Sequence, residues 1–268
     1  MSESATQLSF FNWCELMTTD VESAKVFYHE LIGWSLETGP SPNNDGEYTL
    51  ISNDGIQVGG IMDMPKDAPP MPPAWGSYVS VKDIQAVTVK VPELGGQILV
   101  PPTALDGVGH FSVIQDPQGA VLNLMQDSAD QQAENFQALN ETRQVHGVFS
   151  WAELITTDVA GAKQFYSELL GWTLMTQPSP VSGDYTIIVV GDGGIGGITA
   201  MQPGVTDMPP TWGQYVTVDD VDALIAKTTE LGGNVLMPPT DIPTVGRFAM
   251  IQDPQGATLT LMHYSFDE

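Results

Sequence analysis

The chain has 268 residues, 42% of them hydrophobic, and carries 33 acidic against 8 basic side chains for a net charge of −25. That balance argues against nucleic acid and anionic membranes as partners, since both need clustered cations; it serves solubility, or attracts a cationic ligand. The one cysteine, Cys14, allows neither an internal disulfide nor a four-thiol zinc site.

No run of about 18 apolar residues is present to span a bilayer. The opening Met1-Ser-Glu-Ser-Ala has no basic or apolar region of a signal peptide. A cytoplasmic protein is expected.

The first predicted element is an apolar strand, Phe10–Met17. A helix follows, with Thr19 or Asp20 as N-cap and Val21, Ala24, Phe27 and Leu31 as its buried stripe. Gly33 supplies the stop. Short strands are expected at Trp34–Glu37, Tyr48–Ser52 and Gln57–Met62. A proline-rich link, Pro65 to Pro73, interrupts, and the order then restarts. Strand Ser77–Val81 leads to a helical stretch from Asp83 to Leu94, then to strands Gln97–Val100, Phe111–Gln115 and Val121–Met125. Val87, Val89, Val91 and Pro92 oppose a helix, so a kink or irregularity is expected there. Asp116-Pro-Gln-Gly119 reads as the turn between the last two strands. The polar segment Asp127–Val145 has no Gly or Pro and reads as a helical or extended linker.

The same order then recurs from Phe149 to Met262. Trp13–Trp34 and Trp151–Trp172 are identical at 15 of 22 positions. Trp75-Gly-x-Tyr78 matches Trp212-Gly-x-Tyr215, and Gln115-Asp-Pro-Gln-Gly-Ala120 matches Gln252-Asp-Pro-Gln-Gly-Ala257. A repeat this long predicts two whole domains, residues 1–126 and 146–268, joined by the linker 127–145.

The residues Thr18-x-Asp20, Phe27-Tyr28-x4-Gly33-Trp34, Val81-x-Asp83 and Asp116-Pro117-x-Gly119, each repeated, resemble the vicinal oxygen chelate superfamily. That superfamily holds glyoxalase I, extradiol dioxygenases and bleomycin-resistance proteins, and the Trp-x-Glu-Leu opening resembles its two-domain glyoxalase-like group. The resemblance implies an α+β fold of four βαβββ modules, forming two tandem glyoxalase-like half-barrel domains. In the family's enzymes each bowl holds a divalent metal, with ligands from the first, fourth, fifth and eighth strands.

Here the first-strand ligand position falls on Trp13 and Trp151, the fifth-strand position on Gly76 and Gly213, and the eighth on Asn123 and Thr260. The fourth-strand stretches Gly59–Met62 and Gly196–Thr199 offer no Glu. Indole nitrogen is a donor only and glycine has no side chain. No metal and no cofactor are therefore expected, with a divalent metal as the alternative.

Strand alternation places another set inside the bowls. Repeat one offers Trp13, Glu15, Met17, Tyr78, Asn123 and Met125; repeat two offers Trp151, Glu153, Ile155, Tyr215, Thr260 and Met262. Trp75 and Trp212 are expected at the pocket mouth or at the domain contact. Aromatic and Met linings with few polar groups suit small molecules. Glu15 and Glu153, each beside an indole in an apolar concavity, are expected to have raised pKa values. Each reads as an acid/base group, as an anchor for a cationic ligand helped by cation–π attraction, or as a structural carboxylate bonded to Arg, backbone or Tyr. His110 stands opposite Arg247 in the repeat, and both read as solvent-side charges or carboxylate partners. His29, His146 and His263 share no metal spacing. Three functions follow: a metal-free binding module for a small aromatic or cationic molecule, a glyoxalase-like lyase or isomerase, or a non-catalytic scaffold. Intramolecular pairing of the two domains is also expected.

Overall fold

A computed structural model describes residues 9–42, 46–65, 71–127, 129–179, 183–202, 204 and 208–265, without the side chains of 129–135. The N-terminal segment 1–8 and residues 66–70 of the proline-rich link lie outside the described residues.

Strand β1 (Phe10–Thr18) sets the pattern. Cys14, Leu16 and Thr18 are buried while Trp13, Glu15 and Met17 are half-buried, which is the two-residue alternation of a strand with one face on a core. Helix α1 (Val21–Ile32) starts at Asp20, not Thr19, because the Asp20 carboxylate accepts the Ser23 N–H at 2.9 Å. It buries Ala24, Phe27, Tyr28, Leu31 and Ile32 and ends at Gly33, whose φ of 88° only glycine adopts cheaply.

The chain continues through β2 (Ser35–Pro40), β3 (Glu47–Asn53), β4 (Ile56–Asp63), β5 (Ala74–Ser80), α2 (Ile84–Glu93), β6 (Gln97–Leu105), β7 (Gly109–Gln115) and β8 (Val121–Gln126). The linker is helical, as α3 (Ala129–Thr142). The second copy comprises β9 (Phe149–Thr156), α4 (Val159–Leu170), β10 (Thr173–Ser179), β11 (Gly183–Val190), β12 (Gly193–Ala200), β13 (Thr211–Thr217), α5 (Val221–Glu230), β14 (Asn234–Ile242), β15 (Gly246–Gln252) and β16 (Thr258–Tyr264). These are four βαβββ modules of an α+β fold. Their strands form two eight-stranded sheets, ordered β2-β3-β4-β1-β5-β8-β7-β6 and β10-β11-β12-β9-β13-β16-β15-β14. No helix among the described residues is long and apolar enough to cross a membrane.

The kink or irregularity expected at Pro92 does not interrupt the helix. Helix α2 runs through Pro92 to Glu93 and has ten residues, as α5 does with Thr229 at the matching place. A proline there removes one helical donor just before the helix stops, where Leu94 N–H bonds Lys90 O and Gly96 N–H bonds Val91 O.

The buried apolar side chains gather in two cores, and each core draws on both sequence repeats. One contains Val79, Val87, Ile114 and Leu122 from the first copy with Leu154, Phe165 and Ile198 from the second. The other contains Leu16, Phe27, Ile51 and Ile61 with Val216, Ile251 and Leu259. Two compact units follow the same division, Met1–Asn12 with Tyr78–Asn140 and Ala152–Trp212, and Trp13–Ser77 with Glu141–Trp151 and Gly213–Glu268.

Each core is crossed by a buried polar chain. In one, Trp75 Nε1 donates to Tyr28 OH (2.9 Å), and Tyr28 donates to Asp253 Oδ2 (3.1 Å). Asp253 Oδ1 accepts the N–H groups of Gln255, Gly256 and Ala257 at 2.8–3.0 Å. In the other, Trp212, Tyr166 and Asp116 repeat the chain at 3.0 and 3.1 Å, and Asp116 Oδ1 accepts from Gln118, Gly119 and Ala120. The Asp-Pro-Gln-Gly stretches are thus the expected turns, and the second oxygen of each aspartate ties its turn to a helix. Of the two places expected for Trp75 and Trp212, they take the contact between the repeats. Both are core residues, where Trp75 packs on Phe149 and Trp212 on Phe11, each an aromatic of the other repeat.

Candidate functional site

Glu15 on β1 lies beside Gly60 of β4 in parallel register. Strand β3 pairs with the other edge of β4, with Leu50 opposite Gly60. Tyr48, two residues earlier on β3, lies across the place where Gly60 has no side chain; a Cβ at Gly60 would fall on the Tyr48 ring. The missing atom lets the phenol lie over β4 and reach β1. There its oxygen accepts Trp13 Nε1–H at 2.9 Å and its proton goes to the Glu15 carboxylate. Burial, reinforced by the neighbouring Glu15 charge, holds the Tyr48 phenol far above its ordinary range. Tyr48 is therefore a fixed donor toward Glu15.

The second copy repeats the device. Glu153 pairs in register with Gly197, a Cβ at Gly197 would fall on the Tyr185 ring, and Tyr185 OH donates to Glu153 Oε2 at 2.8 Å. Trp151 precedes Glu153 on the same half-buried face of β9.

Tyr48 and Tyr185 are the residues that the sequence reading misses. The signal was available, since each tyrosine precedes its glycine by twelve residues (60 − 48 and 197 − 185) in both copies.

The remaining expected residues take their places on the strands. Met17 continues the Trp13–Glu15 face of β1 and Ile155 continues that of β9. Tyr78 pairs with Asn123 and Ser80 with Met125 between β5 and β8; Tyr215 pairs with Thr260 and Thr217 with Met262 between β13 and β16. Asn123 and Met125 are 8% exposed and Thr260 and Met262 2% exposed, so these four are more enclosed than Trp13 or Glu15. Two surface depressions lie elsewhere, about 570 Å³ at the start of α2 and about 290 Å³ at the start of α1, and neither is lined by Trp13, Glu15, Trp151 or Glu153. His29 and His263 bond backbone carbonyls, and His146 bonds Ile32 O beside Asp219. Cys14 faces the core, where burial pushes its thiol up and Gln214 accepts its weak hydrogen bond.

The model of the Glyoxalase/Bleomycin resistance protein/Dioxygenase superfamily matches residues 10–124 and again 148–261. The chain belongs to that superfamily. Among its relatives, CFP32 of Mycobacterium tuberculosis, a protein named for a glyoxylase, is 38% identical over 252 residues, spanning 94% of this chain and 93% of the other. The anthracycline biosynthesis protein DnrV of Streptomyces peucetius is 30% identical over 264 residues, spanning 93% and 91%. Two solved structures share the fold at low identity. The 2,3-dioxygenase LapB of Pseudomonas sp. KL28 has a TM-score of 0.63 at 12% identity over 98% of this chain and 94% of its own. The Mn(II)-bound glyoxalase of Novosphingobium aromaticivorans has a TM-score of 0.63 at 14% identity, over 96% and 82%.

A divalent ion needs several N or O donors converging at about 2.0–2.2 Å. At the positions that the sequence resemblance assigns to ligands stand Trp13, whose nitrogen already donates to Tyr48, then Gly76 and Asn123, and in the second copy Trp151, Gly213 and Thr260. Among the described residues no three His, Cys, Asp or Glu side chains converge. These side chains do not fit such an ion.

Proposed function

We propose that the chain binds a small aromatic or cationic molecule without a divalent metal, at the Trp13–Tyr48–Glu15 surface and at its counterpart with Trp151, Tyr185 and Glu153. The observation that carries this reading is the fixed tyrosine donor on each glutamate. It fixes the orientation of the carboxylate. The indole and phenol faces add cation–π attraction, worth about 0.5–2 kcal/mol at partly desolvated sites. Met17 on β1 and Ile155 on β9 extend the two faces in this reading. A net charge of −25 raises the local concentration of a cation. The description of DnrV as an anthracycline biosynthesis protein agrees with an aromatic ligand. The reading includes two repeats paired within one chain, a cytoplasmic location, and no nucleic-acid or membrane partner.

A second reading has one specific support, the phenol–carboxylate pair itself. In a glyoxalase-like lyase or isomerase, Glu15 or Glu153 would take a proton from substrate carbon and return it, with Tyr48 or Tyr185 fixing the carboxylate's orientation. The name carried by CFP32 agrees with this chemistry.

Calorimetric titration with an N-methylquinolinium salt, and with neutral naphthalene derivatives as the comparison, tests the first reading. Saturable binding of the cation is expected, weakened about tenfold when Glu15→Gln and Glu153→Gln are combined. Unchanged affinity in that variant would remove the anchor role. No saturable binding of either compound leaves the scaffold reading.

A further inference from the structure

The depression of about 570 Å³ at the start of α2 differs in charge from the rest of this acidic molecule. It is lined by Lys82, Asp83, Gln85, Lys90, His110 and Gln126 over a floor of Ile84, Ala86 and Val87. Two of the chain's eight Lys and Arg residues, with a histidine, thus meet a single aspartate. That aspartate is committed to capping the helix, since Asp83 Oδ1 accepts Ala86 N–H at 3.0 Å. Gln126 Oε1 accepts Ile84 N–H at 2.8 Å. The helix terminus is already satisfied, so the positive character comes from the side chains. Among the described residues, Lys82, Lys90 and His110 form no ion pair.

The second copy supplies an internal control. Arg247 occupies the place of His110, each facing β14 or β6 in the same register, Asp241 opposite Arg247 and Ala104 opposite His110. Arg247 is bracketed by carboxylates: Nε and Nη2 reach Asp222 at 2.7 and 2.9 Å, and Nη1 reaches Asp241 at 2.7 Å. In the first copy Asp222 is replaced by Gln85, Asp241 by Ala104 and Asp219 by Lys82. The two carboxylates that neutralise Arg247 in one copy are absent from the other, and Asp219, which lies beside His146, is matched by Lys82. Loss of the internal counter-ions leaves a cleft whose cations face water. Its volume lies within the range of small-molecule sites, about 300–1,000 Å³. At physiological salt the wider negative field is screened beyond about 8 Å, so the local cations dominate inside the cleft.

We propose that this cleft binds a small organic phosphate, with the phosphate held by Lys82, Lys90 and His110 and the carbon portion against the Ile84–Val87 floor. Lysine ammonium groups recognise a phosphate as point charges, and histidine adds a directional donor.

Isothermal titration of the full chain with phenyl phosphate, inorganic phosphate and benzoate tests this. Phenyl phosphate is expected to bind most tightly of the three, and the affinity should fall at least about tenfold in Lys82→Asp/Gln85→Asp, which restores two carboxylates of the other copy. Lys227→Gln, at the matching place in the second copy, should leave the affinity unchanged. Circular dichroism of each variant confirms that it is folded; Lys82 and Gln85 are exposed and Lys227 is half-buried. The proposal is overturned if phenyl phosphate shows no binding up to about 10 mM, or if Lys82→Asp/Gln85→Asp binds as well as the parent. Equal affinity for inorganic phosphate would overturn the role of the apolar floor.

Discussion

Gly60 and Gly197 act through the atom they lack. Each sits beside a glutamate and under a tyrosine ring, and the three residues come from three neighbouring strands. In Gly60→Ala the new Cβ meets the Tyr48 ring, which must leave, and the Trp13 and Glu15 bonds go with it. An overpacked site of this kind costs about 1–3 kcal/mol, and a lost Tyr48 donor adds to that. Urea denaturation followed by circular dichroism should show the loss, and Gly197→Ala should show the same in the second copy. An unchanged midpoint in both variants would mean that the tyrosines rearrange freely. At this scale the sequence was legible in part. Alternation placed Trp13, Glu15 and Met17 on one face of β1 because a strand's faces follow from its order. It did not find Tyr48, because the ring acts two strands away from its own backbone, across a residue that contributes no side chain.

The elements are joined by buried phenols. Tyr28 ties α1 to β5 and to the turn after β15, and Tyr166 ties α4 to β13 and to the turn after β7. Burial, followed by the adjacent carboxylate, raises both phenols well above the ordinary value, and Tyr48 is raised in the same way by Glu15. A phenol held higher when folded than when unfolded supports the fold in full below the unfolded value, about pH 10. That support is lost as the pH climbs past it, because only the unfolded chain releases the proton. Stability measured in urea should therefore fall between about pH 10 and 11.5, and absorbance near 295 nm should show at least Tyr28, Tyr48 and Tyr166 of the seven tyrosines ionising only on unfolding. Full titration of seven phenols in the folded protein would contradict these assignments. The elements themselves were readable, from the Asp20 cap and the Gly33 stop to the Asp-Pro-Gln-Gly turns. The tyrosine tie was not, because nothing in the local sequence of Asp253 says which distant hydroxyl its second oxygen will meet.

The whole molecule has two cores, each assembled from one module of each copy. Hydrophobic periodicity reveals that α1 has an apolar face, but the two copies are too alike for it to reveal which copy covers that face. That is why the duplication was legible and the sharing of cores was not. A fragment ending at residue 142 would retain α1 and α2 while leaving the second-copy side of each core uncovered. We expect such a fragment alone to be either unfolded or self-associated. Mixed with residues 143–268, it should give a folded one-to-one complex by sedimentation and circular dichroism. A folded monomer from either fragment would refute this. The shared cores also constrain how the molecule can evolve. Neither copy can drift, shrink or be deleted on its own, because every internal change in one is felt by a partner encoded more than a hundred residues away. The duplicated gene has become a single heritable unit.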